Sequence, residues 1–139
     1  MCGIAGYLNS DGRPAALSIL QRMSRVLAHR GPDGDGHWME GAVGFGHRRL
    51  AIIDLSAAAA QPMVSGNGRF VITYNGEIYN FKELRKKLLS LGYHFRSSSD
   101  TEVVIEAFAE WGASAVERFN GMFALAVWDR KERRLLLAR

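Results

Sequence analysis

Two periodicities alternate along this chain. Residues 2–8, "CGIAGYL", are a short apolar run stopped by Asn9-Ser10-Asp11-Gly12, which predicts a buried strand and a turn. Over 15–29, Leu17, Leu20, Met23 and Leu27 recur at spacings of three and four, which predicts a helix with those four inward. "HRGPDGDG" (29–36) reads as a loop. His37–Glu40 and Val43–His47 read as a hairpin around Gly41-Ala42, and Arg49–Ile53 as a further strand. Residues 54–68 read as irregular: Ala57–Ala60 favour a helix, but Pro62 and Gly66 limit it.

Arg69–Tyr74, "RFVITY", predicts a strand entering "NGEIYN". A helix is expected at about 81–91, with Asn80 as N-cap, Gly92 as terminator and Phe81, Leu84, Leu88 and Leu91 inward. Tyr93–Arg96 reads as a strand. "SSSD" (97–100) then caps a helix at about 101–111 that turns Val104, Phe108 and Trp111 inward and ends at Gly112. Met122–Trp128 is apolar throughout, as a strand buried on both faces would be. Arg130–Glu132 turns it into Arg134–Leu137. Runs of strands with interspersed helices predict an α+β fold, sheet packed on helices. The closing "RRLLLAR" reads as a strand, so a piece of a longer protein is expected.

Composition narrows the class. A chain of 139 residues suits one domain with a real core. Its 47% apolar and 23% charged residues are ordinary for a globular chain. No run approaches a membrane span, and the N-terminus lacks the features of a secretory signal. One cysteine excludes an internal disulfide, which fits the cytoplasm. The net charge of +4 resides in clusters that each contain an acid, "KELRKK" and "RKERR", without interleaved aromatics; nucleic-acid binding is not expected. His29, His37, His47 and His94 form no i, i+4 pair, so no metal site is expected.

Cys2, the single cysteine, carries two readings. Free cysteines are commonly buried and inert, which suits the start of a strand. Loss of Met1 would instead place an α-amine, with an ordinary pKa of about 7.7–8.0, a few bonds from the sulfur. Such an amine serves N-terminal nucleophiles as their base. An attack on an amide needs oxyanion donors, and Asn75 and Gly76 in "NGE" can supply them; Asn-Gly is also the strongest hairpin dipeptide. Arg49 can grip a carboxylate in a fork or make a surface pair. Asp100, and similarly Glu77, can hold an ammonium group, while Asp100 alone reads as an N-cap. Arg30 and Asp33 brace the site or only shape their loop. Together these groups meet the needs of an enzyme that hydrolyses the side-chain amide of a free amino acid.

Seven segments in order, "MCGIAGYL", "HRGPDG", "HRRLAIIDLS", "QPM", "YNGEIYNF", "SDTEVV" and "FNGMFALAVWD", resemble the glutaminase domain of class II glutamine amidotransferases, asparagine synthetase-like members above all. The resemblance implies an N-terminal-nucleophile hydrolase fold, a four-layer αββα sandwich cut short at its C-terminus, with residues 1–139 as an incomplete glutaminase domain. It implies that Cys2 attacks the carboxamide of L-glutamine after Met1 is lost. Asn75 and Gly76 would form the oxyanion hole, Arg49 would bind the α-carboxylate, and Asp100 with Glu77 the α-ammonium. The ammonia would pass to a synthetase domain in cis that uses ATP and Mg2+; no cofactor or metal is implied within 1–139. Aspartate is the default acceptor, and a homodimer is one open arrangement. The family pattern has glycine and histidine just before Gln61-Pro62-Met63, where this chain has Ala59 and Ala60. The alternative is a non-catalytic glutamine-binding or regulatory module, marked by a retained Met1. A purely structural domain would bind no glutamine.

Overall fold

The computed structural model describes residues 1–52 and 54–139. Along the described chain the elements are β1 (Gly3–Leu8), α1 (Leu17–Val26), β2 (Gly34–Glu40), β3 (Val43–Arg49), β4 (Met63–Val64), β5 (Phe70–Ile78), α2 (Phe81–Ser90), α3 (Asp100–Trp111), β6 (Gly121–Asp129) and β7 (Arg134–Ala138). Short 3-10 turns occupy Ala57–Ala59 and Gly112–Arg118. The strands form two antiparallel sheets, ordered β1-β3-β2 and β4-β5-β6-β7.

Side-chain alternation in β3 and β5 builds the layers. Gly44 and Gly46 share one face of β3, and an added Cβ would lie 2.8 Å from Leu20 Cδ1 and 2.5 Å from Ser24 Oγ. Glycine there lets α1 lie close, with Leu20 and Ser24 buried beneath it. Val43 and Phe45 point the other way and meet Val71, Ala126 and Trp128 of the second sheet. In β5, Val71 and Thr73 face that seam, and the Thr73 hydroxyl donates to the Gly46 carbonyl at 3.2 Å. Phe70, Ile72, Tyr74 and Ile78 face the opposite way, into a core with Leu84 and Leu88 of α2 and Val104 and Phe108 of α3. The order is therefore helix, sheet, sheet, helix. Among the described residues no helix is long and apolar enough to cross a membrane.

Several local expectations are corrected. The first helix is shorter than 15–29, and Leu17 is exposed, as are Leu91, which follows α2, and Met122 in β6. Residues 49–52 do not form a strand of their own: Arg49 closes β3, and beyond it the Leu50 N–H points at Cys2 Sγ and the Ala51 N–H at Asp33 Oδ2. Ile53 of that expected strand lies outside the described residues. Residues 93–96 also form no strand, and the Arg96 N–H goes to the Glu102 carboxylate instead. Asn80 precedes α2 without capping it, since its side chain bonds the backbone of Arg118 and Asn120. Ser99, not Asp100, caps α3, accepting from the Glu102 N–H. Gly112, at φ +60°, ends α3 as expected.

Candidate active site

The site grows from an open edge of β5. β6 pairs with β5 from Phe70 to Ile78, while β4 reaches only Val71 and Ile72 on the other edge. Beyond β4, side chains satisfy that edge. The Tyr74 N–H donates to Gln61 Oε1 at 2.7 Å, the Tyr74 carbonyl accepts from His47 Nε2 at 3.2 Å, and the Ile78 N–H donates to Asp100 Oδ2 at 3.1 Å. Main-chain groups of alternate residues in an antiparallel strand point to the same edge. The Gly76 N–H therefore faces this edge too, between two occupied neighbours. Among the described residues no side chain takes it. It opens into a cleft of about 280 Å³ that Asn75 also lines.

Cys2 closes the cleft from the first sheet. It stands just before β1, with Sγ accepting from the Leu50 N–H at 3.3 Å and donating to the Leu50 carbonyl at 3.6 Å. The Arg30 guanidinium donates through Nε to the Cys2 carbonyl at 3.0 Å. Asp33 holds the adjoining segment, accepting from the Ala51 N–H at 2.9 Å while its own N–H donates to the Arg49 carbonyl at 2.9 Å. Both residues of "HRGPDG" left open by the sequence thus brace the surroundings of Cys2. Met1 is exposed and lines the cleft mouth.

The carboxylates come from β5 and α3, while Arg49 ends β3 on the Cys2 side. Asp100 is the first residue of α3 and is buried. Its Oδ2 accepts from the Tyr74 hydroxyl at 2.8 Å and from Ile78, while Oδ1 has no hydrogen bond among the described residues. Burial, reinforced by Asp100 and Glu77, pushes the Tyr74 hydroxyl far above the usual phenol range, so it remains a donor. Glu77 is exposed at the rim. Arg49 points Nη1 at the Ser56 carbonyl, 2.9 Å away, and Nη2 at the Asp54 carbonyl. A guanidinium has five N–H donors, so this leaves others for a substrate carboxylate. Asp54 anchors the same loop, accepting from the Ser98 N–H at 2.8 Å and its hydroxyl at 3.0 Å. Hydrogen bonds from Ser56 and Ser98 hold its carboxyl well below the usual range.

His47 is 1% exposed, and burial pushes its pKa down to about 4. A carbonyl only accepts, so a neutral His47 carries its proton on Nε2 toward Tyr74.

All six expected residues, Cys2, Arg49, Asn75, Gly76, Glu77 and Asp100, line this one cleft. Asn75-Gly76 is not a hairpin turn but continuous strand, and an added Cβ at Gly76 would lie 2.5 Å from the Met122 carbonyl oxygen. Sequence reasoning assigned no part to Tyr74 or Gln61 and weighed His47 only as a metal ligand. Their signal was the position of Tyr74 directly before Asn75 and the unexplained Gln-Pro-Met segment.

The chain matches, over residues 1–139, a family described as glutamine amidotransferase domain. It is 41% identical over 142 residues to asparagine synthetase (glutamine-hydrolyzing) 3 of Bacillus subtilis, covering all of this chain and 23% of that protein. It is 39% identical over 140 residues to asparagine synthetase (glutamine-hydrolyzing) 1 of Arabidopsis thaliana, covering 24% of that protein. The chain thus spans about a quarter of the length of these curated relatives. Among solved structures it is similar to a glutamine phosphoribosylpyrophosphate amidotransferase from B. subtilis, with a TM-score of 0.74 and 20% identity over 94% of this chain and 35% of that one. That likeness bears on fold alone and supports the expected αββα arrangement.

Proposed function

The chain belongs to the glutamine amidotransferase domain family, and from that premise we propose that it is the glutamine-hydrolysing part of an asparagine synthetase-like enzyme. One observation carries this reading: nucleophile, oxyanion donors, guanidinium and carboxylates converge on one cleft, with the Gly76 N–H and Asp100 Oδ1 unengaged among the described residues.

In the proposed mechanism, loss of Met1 turns the Cys2 nitrogen from an amide into an amine that can act as a base. L-Glutamine lies along the cleft with its α-ammonium on Asp100 Oδ1, assisted by Glu77, and its α-carboxylate on Arg49. The amine takes the thiol proton, and Sγ bonds to the carboxamide carbon. The Asn75 side chain and the Gly76 N–H stabilise the oxyanion. The ammonium then returns its proton to the leaving nitrogen, ammonia departs, and a glutamyl thioester remains. Water cleaves the thioester, releasing glutamate and restoring the thiol. The Leu50 N–H keeps the sulfur in place as it ionises, because that bond needs no thiol proton.

The ammonia serves an amidation that uses ATP and Mg2+ in a further part of the longer protein, with aspartate the default acceptor. No residue of 1–139 is assigned to hold either. The test is glutamate release from glutamine by the parent chain and by Cys2→Ala, each checked for folding by circular dichroism. The reading expects hydrolysis in the parent alone; equal turnover in the folded variant would end it. A second reading, glutamine binding without turnover, applies to chains that keep Met1, which sits at the cleft mouth.

A further inference from the structure

Gln61 belongs to the Gln-Pro-Met segment, to which the mechanism above gives no part. It is 9% exposed, and both ends of its amide are engaged. Oε1 accepts from the Tyr74 N–H at 2.7 Å, and Nε2 donates to Thr101 Oγ1 at 3.3 Å. Tyr74 directly precedes Asn75, and Thr101 directly follows Asp100. One planar amide thus joins the strand that carries the oxyanion donors to the helix that carries the ammonium-binding carboxylate.

The need for such a group follows from the sheet. β4 stops opposite Ile72, so among the described residues no strand reaches the open edge at Tyr74. A buried main-chain N–H without a partner is costly and tends to reorient. Gln61 Oε1 takes the place of a strand carbonyl there, while His47 Nε2 holds the Tyr74 carbonyl. With both halves of Tyr74 fixed, the Gly76 N–H two residues on is aimed by a strand that cannot twist freely.

We propose that Gln61 is a positioning residue for glutamine hydrolysis, holding the Tyr74 main chain so that Asn75 and Gly76 meet the developing oxyanion. It touches no reacting atom. The inference rests on the function proposed above and adds a residue to it. Its chemical requirement is an acceptor at the Oε1 position, which glutamate retains and methionine lacks.

The experiment compares steady-state glutamine hydrolysis by the parent, Gln61→Met, Gln61→Glu and Cys2→Ala, with thermal unfolding of each. Misplaced oxyanion donors act on the transition state, so Gln61→Met should lower kcat on the order of 10²-fold while KM stays within about threefold. Gln61→Glu should bring kcat back to within about tenfold of the parent. Unchanged kcat in Gln61→Met beside an inactive Cys2→Ala overturns the positioning role and leaves the function standing. Equal losses in both Gln61 variants also overturn it, because the acceptor would then not be what matters. If Gln61→Met does not fold, Gln61→Glu decides alone: a kcat near the parent's supports the role, and a 10²-fold loss ends it. A parent with no Cys2-dependent glutamate release overturns the function itself, and this inference with it.

Discussion

The Tyr74 hydroxyl donates a 2.8 Å hydrogen bond to Asp100 Oδ2, joining the strand just before Asn75 and Gly76 to the first residue of α3. The Ile78 N–H shares the same oxygen. One carboxylate oxygen is therefore structural, and the other has no hydrogen bond among the described residues. The positive end of the helix dipole favours negative charge at this position, which suits a carboxylate there.

Asp100→Asn keeps an acceptor for Tyr74 and removes the charge. A hydrogen bond to a charged group contributes more than a neutral one, so KM for glutamine should rise about 10- to 100-fold. The melting temperature should change little. Steady-state kinetics with calorimetry checks both, and an unchanged KM would remove Asp100 from the ammonium site.

Asn75→Ala removes a side-chain donor without disturbing the β5–β6 ladder. Loss of one oxyanion donor should lower kcat on the order of 10²–10³-fold with KM nearly unchanged. A rise in KM alone would place Asn75 in ground-state binding instead.

Asp54→Ala frees from Ser98 the loop whose Asp54 and Ser56 carbonyls occupy two donors of Arg49. The freed guanidinium would lose its orientation. KM for glutamine should rise about three- to tenfold, with kcat little affected. Kinetics on the folded variant tests this.

His47 gives a pH signature. Its folded pKa of about 4 lies below the ordinary value of 6.5, with Arg49 the nearby charge that adds to burial. Between those values the unfolded chain binds more protons than the folded one, so stability rises with pH across the window. His47 contributes fully above pH 6.5, and its contribution, on the order of 3 kcal/mol, is lost as pH falls through about 4. His47→Gln should flatten that part of the stability curve, as denaturant titrations between pH 4 and 7 would show.

The sequence showed the layers more readily than the joints. Short apolar runs marked β1 and β6, turn residues marked the β2–β3 hairpin and β7, and apolar positions three and four apart marked the three helices, because burial and chain reversal dictate those patterns. Residues 93–96 look like a strand locally, but no neighbour pairs with them. Asn75-Gly76 carries a turn dipeptide, yet pairing with Ala124 and Phe123 keeps it extended. The six expected site residues were legible because their chemistry is unusual in combination. The hub at Tyr74 was not, because its partners lie 13, 26 and 27 residues away and only the fold brings them together.

The measurement that bears most directly on the central claim is the intact mass of the chain before and after treatment with 6-diazo-5-oxo-norleucine, an electrophilic glutamine mimic. The account predicts a starting mass that lacks one methionine and a single stoichiometric adduct, mapped by peptide sequencing to Cys2. A processed chain that takes up no adduct, or one that is labelled elsewhere, would contradict it.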